Sequence, residues 1–167
     1  MSAGFTGRSL AQDQIEITAL DASDVAAMIA LERDSAEYPW TEAQYLSCTG
    51  PEYRFLGAWY GGELVGFLID WRMLGEGHLM NICIHRQFQR HGGGRCLLRY
   101  WLATMQREGV ATLTLEVRES NRAARELYAS EGFEHRGTRP GYYRTATGTE
   151  AAHVMGLSLA VVRASNH

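Results

Sequence analysis

The glycine-rich turn at residues 89–95 is the segment best suited to bind a ligand. It reads Gln89-Arg90-His91-Gly92-Gly93-Gly94-Arg95, and it follows a strand predicted to end at Ile84 and precedes a helix predicted to begin near Gly94. Glycines let a backbone approach a ligand closely, and the exposed N–H groups of a helix N-terminus attract an anion. Two arginines add positive charge. The turn therefore predicts a phosphate site, without indicating which phosphate.

Composition excludes several other chemistries. All 16 basic residues are arginine, which rules out a P-loop lysine, a Schiff-base lysine and a Ser–Lys dyad. The dinucleotide fingerprint also fails, because its third glycine would fall at Leu97. The six histidines form no HExxH or other metal-ligand spacing, so no metal is expected.

Length and charge bound the class of protein. With 167 residues, the chain is expected to form one domain over 14–160, between loose tails at 1–13 and 161–167. A net charge of −3 makes nucleic acid a poor candidate partner. No apolar run is long enough to span a bilayer. Three cysteines without zinc or redox spacing favour free thiols, and hence the cytoplasm.

Hydrophobic periodicity and caps predict the elements that position the turn. Strands are expected at 15–20, 53–60, 63–74, 77–84, 112–117, 133–138 and 151–159, and a loop at 139–150. Helices are expected after Asp21, after Thr41, from about 94 to 109, and over 121–131. The order β-α-α-β-β-β-α-β-α-β-β predicts an α/β (α+β) domain with a mixed sheet and helices on its faces.

Gln89, Gly92 and Gly94 fit a Q/R-x-x-G-x-G/A pattern between strand and helix, which resembles the acetyl-CoA pyrophosphate motif of the GNAT N-acetyltransferases. Further motifs resemble the ribosomal-protein-alanine N-acetyltransferase (RimI) branch: Leu115-Glu116-Val117-Arg118, Ser120-Asn121, Leu127-Tyr128, Glu131-Gly132-Phe133, Tyr38-Pro39-Trp40 and Tyr142-Tyr143. The likeness covers residues 15–159. It implies a GNAT-type fold, with a central, mostly antiparallel sheet and a splayed parallel pair.

The resemblance also implies roles for individual residues. The backbone of Ile82, Cys83 and Ile84 would pair with the pantetheine arm of acetyl-CoA, and Gln89, Arg90, His91, Gly92, Gly93, Gly94 and Arg95 would surround its pyrophosphate. Asn121 would contact the cofactor, Glu116 would be the general base, and Tyr128 would protonate the departing thiolate. Tyr38, Pro39, Trp40, Tyr142 and Tyr143 would flank the entering acceptor.

Elementary chemistry agrees with these residue types. An amine must be neutral to attack a thioester, and the thiolate leaving group needs a proton. An α-amine has a pKa of roughly 7.7–8.0, against about 10.4 for the lysine side chain. Neutralising an α-amine at pH 7 therefore costs about 3.5 kcal/mol less than neutralising a lysine. This favours an α-amine as acceptor without deciding the question. The resemblance implies the α-amine of a protein N-terminus, for example that of a ribosomal protein that begins with Ala.

Alternatives stay open at this point. Glu116 could be an exposed or ion-paired strand residue, Tyr128 a core tyrosine, Asn121 a helix N-cap, and Cys83 a small buried residue rather than a nucleophile. Arg144 and His153 depart from the branch and are expected near the acceptor entrance, which motivates a small-amine acceptor instead. A third hypothesis is that the chain is a non-catalytic acyl-CoA-binding module. The domain could be a monomer or a weak dimer.

Overall fold

The computed structural model describes residues 14–160. The predicted tails at 1–13 and 161–167 lie outside the described residues. The strands are β1 (Glu16–Leu20), β2 (Tyr53–Tyr60), β3 (Glu63–Met73), β4 (Glu76–Ile84), β5 (Thr112–Arg118), β6 (Glu134–Thr145) and β7 (Gly148–Ser158). The helices are α1 (Val25–Ser35), α2 (Glu42–Ser47), α3 (Gly93–Arg107) and α4 (Arg122–Ser130).

The strands form a mixed sheet in the order β1-β2-β3-β4-β5-β7-β6. β1 is antiparallel to β2, and β7 is antiparallel to both β5 and β6. β4 and β5 are parallel, and their ladder joins only Glu76–Leu79 to Thr112–Leu115. The predicted α/β fold class, with its mixed sheet and one short parallel pair, is confirmed.

Local signals position the helices and the first hairpin as predicted. Thr41 caps α2, and the side chain of Gln44 accepts the Thr41 N–H in a capping box. A similar box at Asp21 opens a 3-10 turn that leads into α1. Gly61 and Gly62, both with positive φ, join β2 to β3 in the tight turn that this pair favours.

The prediction of a loop over 139–150 is wrong. β6 extends to Thr145 and pairs with β7, so Tyr143 lies opposite Glu150. Pro140 and Gly141, which read as loop residues in the sequence, fall where the register shifts between Arg139 and Tyr143. An edge strand tolerates proline and glycine at such an irregularity, because no ladder hydrogen bond is lost there.

The described residues divide into two compact units, each with its own buried side chains. The first contains 14–70 and 81–101, and its core includes Met28, Tyr45, Phe67, Leu68, Leu97 and Trp101. The second contains 71–80 and 102–160, and its core includes Met105, Leu113, Leu115, Val117, Phe133 and Met155. The single domain over 14–160 stays a prediction.

Candidate active site

The glycine turn contains two residues in the left-handed backbone region and leads directly into a helix. Arg90 and Gly92 have positive φ values of 65° and 83°, and α3 begins directly after them at Gly93. The N–H of Cys96 donates to the carbonyl of Gly92 at 2.9 Å, which closes the first turn of α3. The first N–H groups of a helix have no partner within it and can face a ligand. A Cβ at Gly92 would meet nothing within 4 Å, so the turn has room for a phosphate there.

Gln89 holds this turn in place. Its Nε2 donates to the carbonyl of Ile84 at 2.9 Å and to the carbonyl of Ser35 at 3.3 Å. The side-chain nitrogen thereby ties the turn to the end of β4 and to the last residue of α1. Gln89 acts on the shape of the turn, in addition to any contact that its exposed side makes with a ligand.

The end of β4 carries the three residues whose backbone is expected to bind the pantetheine arm. The parallel ladder with β5 ends at Leu79, and β4 continues for five residues to Ile84. Residues 82–84 lie beyond that ladder. Cys83 within them is buried, and burial raises the pKa of its thiol to about 12. It is a small buried side chain with a protonated thiol, which agrees with the non-nucleophilic alternative.

Glu116 lies on the sheet face opposite its buried neighbours Leu115 and Val117, as strand alternation predicts. Its side chain is 15% exposed, and its Oε1 lies 3.4 Å from Nε of Arg139, which is 57% exposed. Thr114 shares this face, and its hydroxyl oxygen is 2.8 Å from Nδ1 of His78 on β4. Glu116 is thus a half-buried carboxylate with one cationic neighbour.

The two adjacent tyrosines of β6 approach Glu116. Their rings lie 4.9 Å apart at 84°. A hydrogen bond to Glu116 is the main cause that raises the pKa of Tyr142, and burial raises the pKa of Tyr143 to about 12. The guanidinium of Arg118 stacks 4.4 Å from the Tyr143 ring and forms an ion pair with Glu150 at 3.0 Å. The structure therefore brings Glu116, Tyr142 and Tyr143 together.

Tyr128 is buried on α4, with its ring 5.9 Å from that of Phe133. Burial raises the pKa of its phenol, so the hydroxyl stays protonated through neutral pH. Asn121 caps the same helix by accepting the N–H of Ala124 at 3.2 Å. The N-cap alternative for Asn121 is therefore confirmed.

The segment Tyr38-Pro39-Trp40 joins α1 to α2. The N–H of Trp40 donates to Oε1 of Glu32 at 2.7 Å, and the Trp40 ring contacts that of Tyr45 at 5.4 Å. Its neighbour Pro39 is exposed. The buried carboxylate of Glu32 therefore fixes the backbone of this segment at Trp40. Residue spacing did not predict this contact.

Comparison with known proteins identifies the family. Residues 20–133 match the sequence profile of the acetyltransferase (GNAT) family. The chain belongs to the GNAT acetyltransferases.

Curated GNAT relatives resemble the chain over nearly their whole length. The ribosomal protein bS18-alanine N-acetyltransferase of Escherichia coli K12 is 37% identical over 145 residues, which are 87% of this chain and 98% of the relative. The enzyme of the same name from Haemophilus influenzae is 34% identical over 140 residues, 83% and 95% of the two chains. The crystal structure of the Escherichia coli enzyme superposes with a TM-score of 0.85 at 35% identity, covering 92% and 99%. The chain is thus a GNAT acyltransferase that resembles the RimI branch.

Three polar residues that contact candidate residues within their own unit were not predicted. Arg139 reaches Glu116 from the segment expected to be a loop. His78 gave no signal in the sequence, because it lies in an ordinary strand pattern. The one signal for Glu32 is that it is a polar residue on the apolar face of α1, with Met28 and Leu31.

The expected location of His153 near the acceptor entrance stays a prediction, and its side chain does not share a sheet face with Glu116. His153 pairs with Val117 across the β5–β7 ladder, whereas Glu116 pairs with Val154. Directly paired residues share a face, so His153 lies on the face opposite Glu116. There it contacts the ring of His135 at 5.0 Å and lies 3.7 Å from Glu119.

GNAT enzymes use acetyl-CoA. Among residues 14–160, no group of three or more His, Cys, Asp or Glu side chains is arranged to hold a metal ion. In the same part of the chain, no helix is long and apolar enough to cross a membrane.

Proposed function

We propose that this chain transfers an acetyl group from acetyl-CoA to the α-amine of a protein N-terminus, with a ribosomal protein that begins with Ala as its acceptor. The observation that carries this proposal is the 37% identity over 98% of an enzyme named for that reaction. The physical preference for an α-amine over a lysine side chain supports it. Such an acceptor would place the reaction in the cytoplasm.

Glu116 is the general base of the proposed reaction. A half-buried carboxylate can accept the proton of the incoming ammonium group, directly or through one water. Tyr142, hydrogen-bonded to Glu116, and Tyr143 beside it form an aromatic wall for a short peptide. The first residue of the acceptor would lie against these rings, with its amine toward the carboxylate.

Tyr128 is the proton donor to the departing thiolate. Its raised pKa keeps the phenol protonated at neutral pH. A single O–H donor held in a buried, rigid side chain loses little entropy in the reaction. Tyr128 therefore supplies the proton without needing to be charged.

The turn and the end of β4 would hold the cosubstrate. Acetyl-CoA, when bound, supplies the reactive thioester. The N–H groups at the start of α3 and the side chains of Arg90 and Arg95 would bind the pyrophosphate, the backbone of 82–84 would pair with the pantetheine amides, and Asn121 would contact the cofactor.

The test measures acetyl-CoA consumption with two panels of acceptors, and the release of free thiol reports the reaction. One contains short peptides that begin with Ala, Ser, Met or Gly, and the other contains polyamines, amino acids and aminoglycosides. We expect turnover of the Ala-starting peptides. Turnover of the small amines alone would favour the small-amine alternative and contradict the proposed acceptor. Tight acetyl-CoA binding without turnover on either panel would favour a binding module.

A further inference from the structure

Glu32 is a buried carboxylate at the centre of a hydrogen-bond cluster. Its side chain lies on α1 with 3% of the residue exposed. Oε1 accepts the backbone N–H of Trp40 and the hydroxyl of Tyr45, both at 2.7 Å. Oε2 accepts from Nδ2 of Asn81 at 2.8 Å. One carboxylate therefore receives three donors from three separate segments of the chain.

Each of these segments has a different place in the proposed site. Trp40 belongs to the segment 36–41 between α1 and α2, and residues 38–40 of this segment are expected to flank the acceptor. Tyr45 is the buried residue of α2, which follows that segment. Asn81 directly precedes Ile82 on β4, where the pantetheine arm is expected to bind. Glu32 is the point at which the acceptor-side segment is joined to the strand of the cofactor.

Packing alone does not account for a carboxylate at this position. Burying a charge is costly unless donors satisfy it, so an apolar side chain of similar volume would pack α1 at a lower cost. A carboxylate is instead able to fix a backbone N–H in a segment without regular secondary structure. The Trp40 N–H has neither a helix nor a strand partner, and Glu32 determines its direction.

We propose that Glu32 is a positioning residue for the acceptor: it fixes the segment 36–41 against the end of β4 and so determines how the acceptor N-terminus is placed. The inference rests on the proposed function for the nature of the acceptor. Glu32 touches no reacting atom in this account. Its loss therefore affects acceptor binding more than acetyl-CoA binding.

Two substitutions separate positioning from packing. Glu32→Met keeps a similar side-chain volume and removes the carboxylate that receives all three hydrogen bonds. It is expected to raise the KM for an Ala-starting peptide at least tenfold, with the Kd for acetyl-CoA changed less than threefold. Glu32→Gln retains an oxygen for Trp40 and Tyr45, and Asn81 can turn its amide to accept from the new NH2 group. It is therefore expected to restore the KM to within threefold of wild type.

Asp70→Asn is the matched control. Asp70 is also a fully buried carboxylate of the same unit, and it accepts from Nη2 of Arg54 and Nε1 of Trp101, each at 2.7 Å. Arg54 and Trp101 both lie outside the segment 36–41. We expect Asp70→Asn to lower the Tm and to leave the peptide KM unchanged.

Hydrogen exchange gives a readout that does not depend on activity. In Glu32→Met, the amides of residues 36–41 should exchange at least tenfold faster, while those of β2 keep their wild-type protection. Tyr45→Phe, which removes one donor and keeps the ring, should raise the peptide KM by a smaller factor, about threefold. It provides the same test if Glu32→Met does not fold.

Wild-type protection of 36–41 together with a wild-type peptide KM in Glu32→Met would overturn the inference. So would an unchanged KM in a folded Tyr45→Phe variant. If wild-type enzyme acetylates small amines and no peptide, the proposed function fails instead. In that case, faster exchange at 36–41 with a raised KM for the small amine would still support positioning by Glu32, and unchanged values would overturn it.

Discussion

The guanidinium of Arg139 lies 3.4 Å from the carboxylate of Glu116, and it also lies 5.5 Å from the ring of Tyr142. A cation therefore already occupies a position beside the proposed base. Arg139 is 57% exposed, and such an ion pair contributes only about 0–1 kcal/mol. An acceptor ammonium could displace it at little cost. The pair thus marks where the positive charge of the acceptor would be received.

Removing this cation should improve binding of a positively charged acceptor. We expect Arg139→Gln to lower the KM of an Ala-starting peptide about twofold to fivefold, in line with a weak, exposed pair. Steady-state kinetics at low and high salt measure the effect, which should shrink at high salt. Arg136→Gln, on the same strand but paired with Glu134 at 3.5 Å, is the control and should leave the KM unchanged.

Glu116→Gln should impair proton removal and leave cosubstrate binding intact. General-base catalysis contributes roughly 10²–10⁴-fold, so we expect a loss of about 100-fold or more in kcat/KM at pH 7. The acid limb of the pH–rate profile should shift to higher pH, because at high pH the acceptor amine is already neutral and needs no base. The Kd of acetyl-CoA, measured by calorimetry, should stay within threefold. A wild-type rate at pH 7 would remove Glu116 from the mechanism.

Tyr128→Phe should lower kcat far more than it weakens acetyl-CoA binding. The substitution deletes only the hydroxyl, and the ring contact with Phe133 is retained. We expect a fall in kcat of about 100-fold, the lower range for a lost general acid. Thermal unfolding separates this from the core-tyrosine alternative: an unchanged kcat with a lowered Tm would mean that Tyr128 is structural only.

His78 should make stability depend on pH. Burial lowers its pKa, with Arg139 acting in the same direction and Glu116 opposing it. The folded state therefore binds this proton less readily than the unfolded state, in which the pKa is about 6.5. The contribution of neutral His78 to the free energy of unfolding is complete above about pH 6.5 and is lost as the pH falls below that value. Denaturant unfolding at pH 7.5 and 5.5 should show a smaller decrease for His78→Asn than for wild type; an equal decrease would exclude His78 as a cause.

Most of the fold could be predicted from local patterns. The strand over Tyr53–Tyr60 and the capping box of Thr41 and Gln44 have their predicted bounds and bonds, because alternation and capping depend on near neighbours. The long β6–β7 hairpin could not be predicted in this way. Pro140 and Gly141 favour a loop locally, and pairing with β7 outweighs that preference.

The site could be predicted in part, and the reason is again the range of the interactions. Glu116 and the Tyr142-Tyr143 pair were named from motifs, and the structure brings them together. Arg139 and Glu32 act through contacts that depend on strand register and on helix packing, which residue spacing does not encode.

Mass spectrometry of two versions of one Ala-starting peptide that contains a lysine distinguishes acetylation of an α-amine from acetylation of a lysine side chain. One version has a free α-amine, and in the other the α-amine is already acetylated. The enzyme itself contains no lysine, so acetylation of its own lysines cannot contribute to the signal. We predict a single acetyl group on the α-amine of the free peptide and none added to the blocked one. Equal acetylation of the blocked peptide, on its lysine, would contradict an α-amine acetyltransferase.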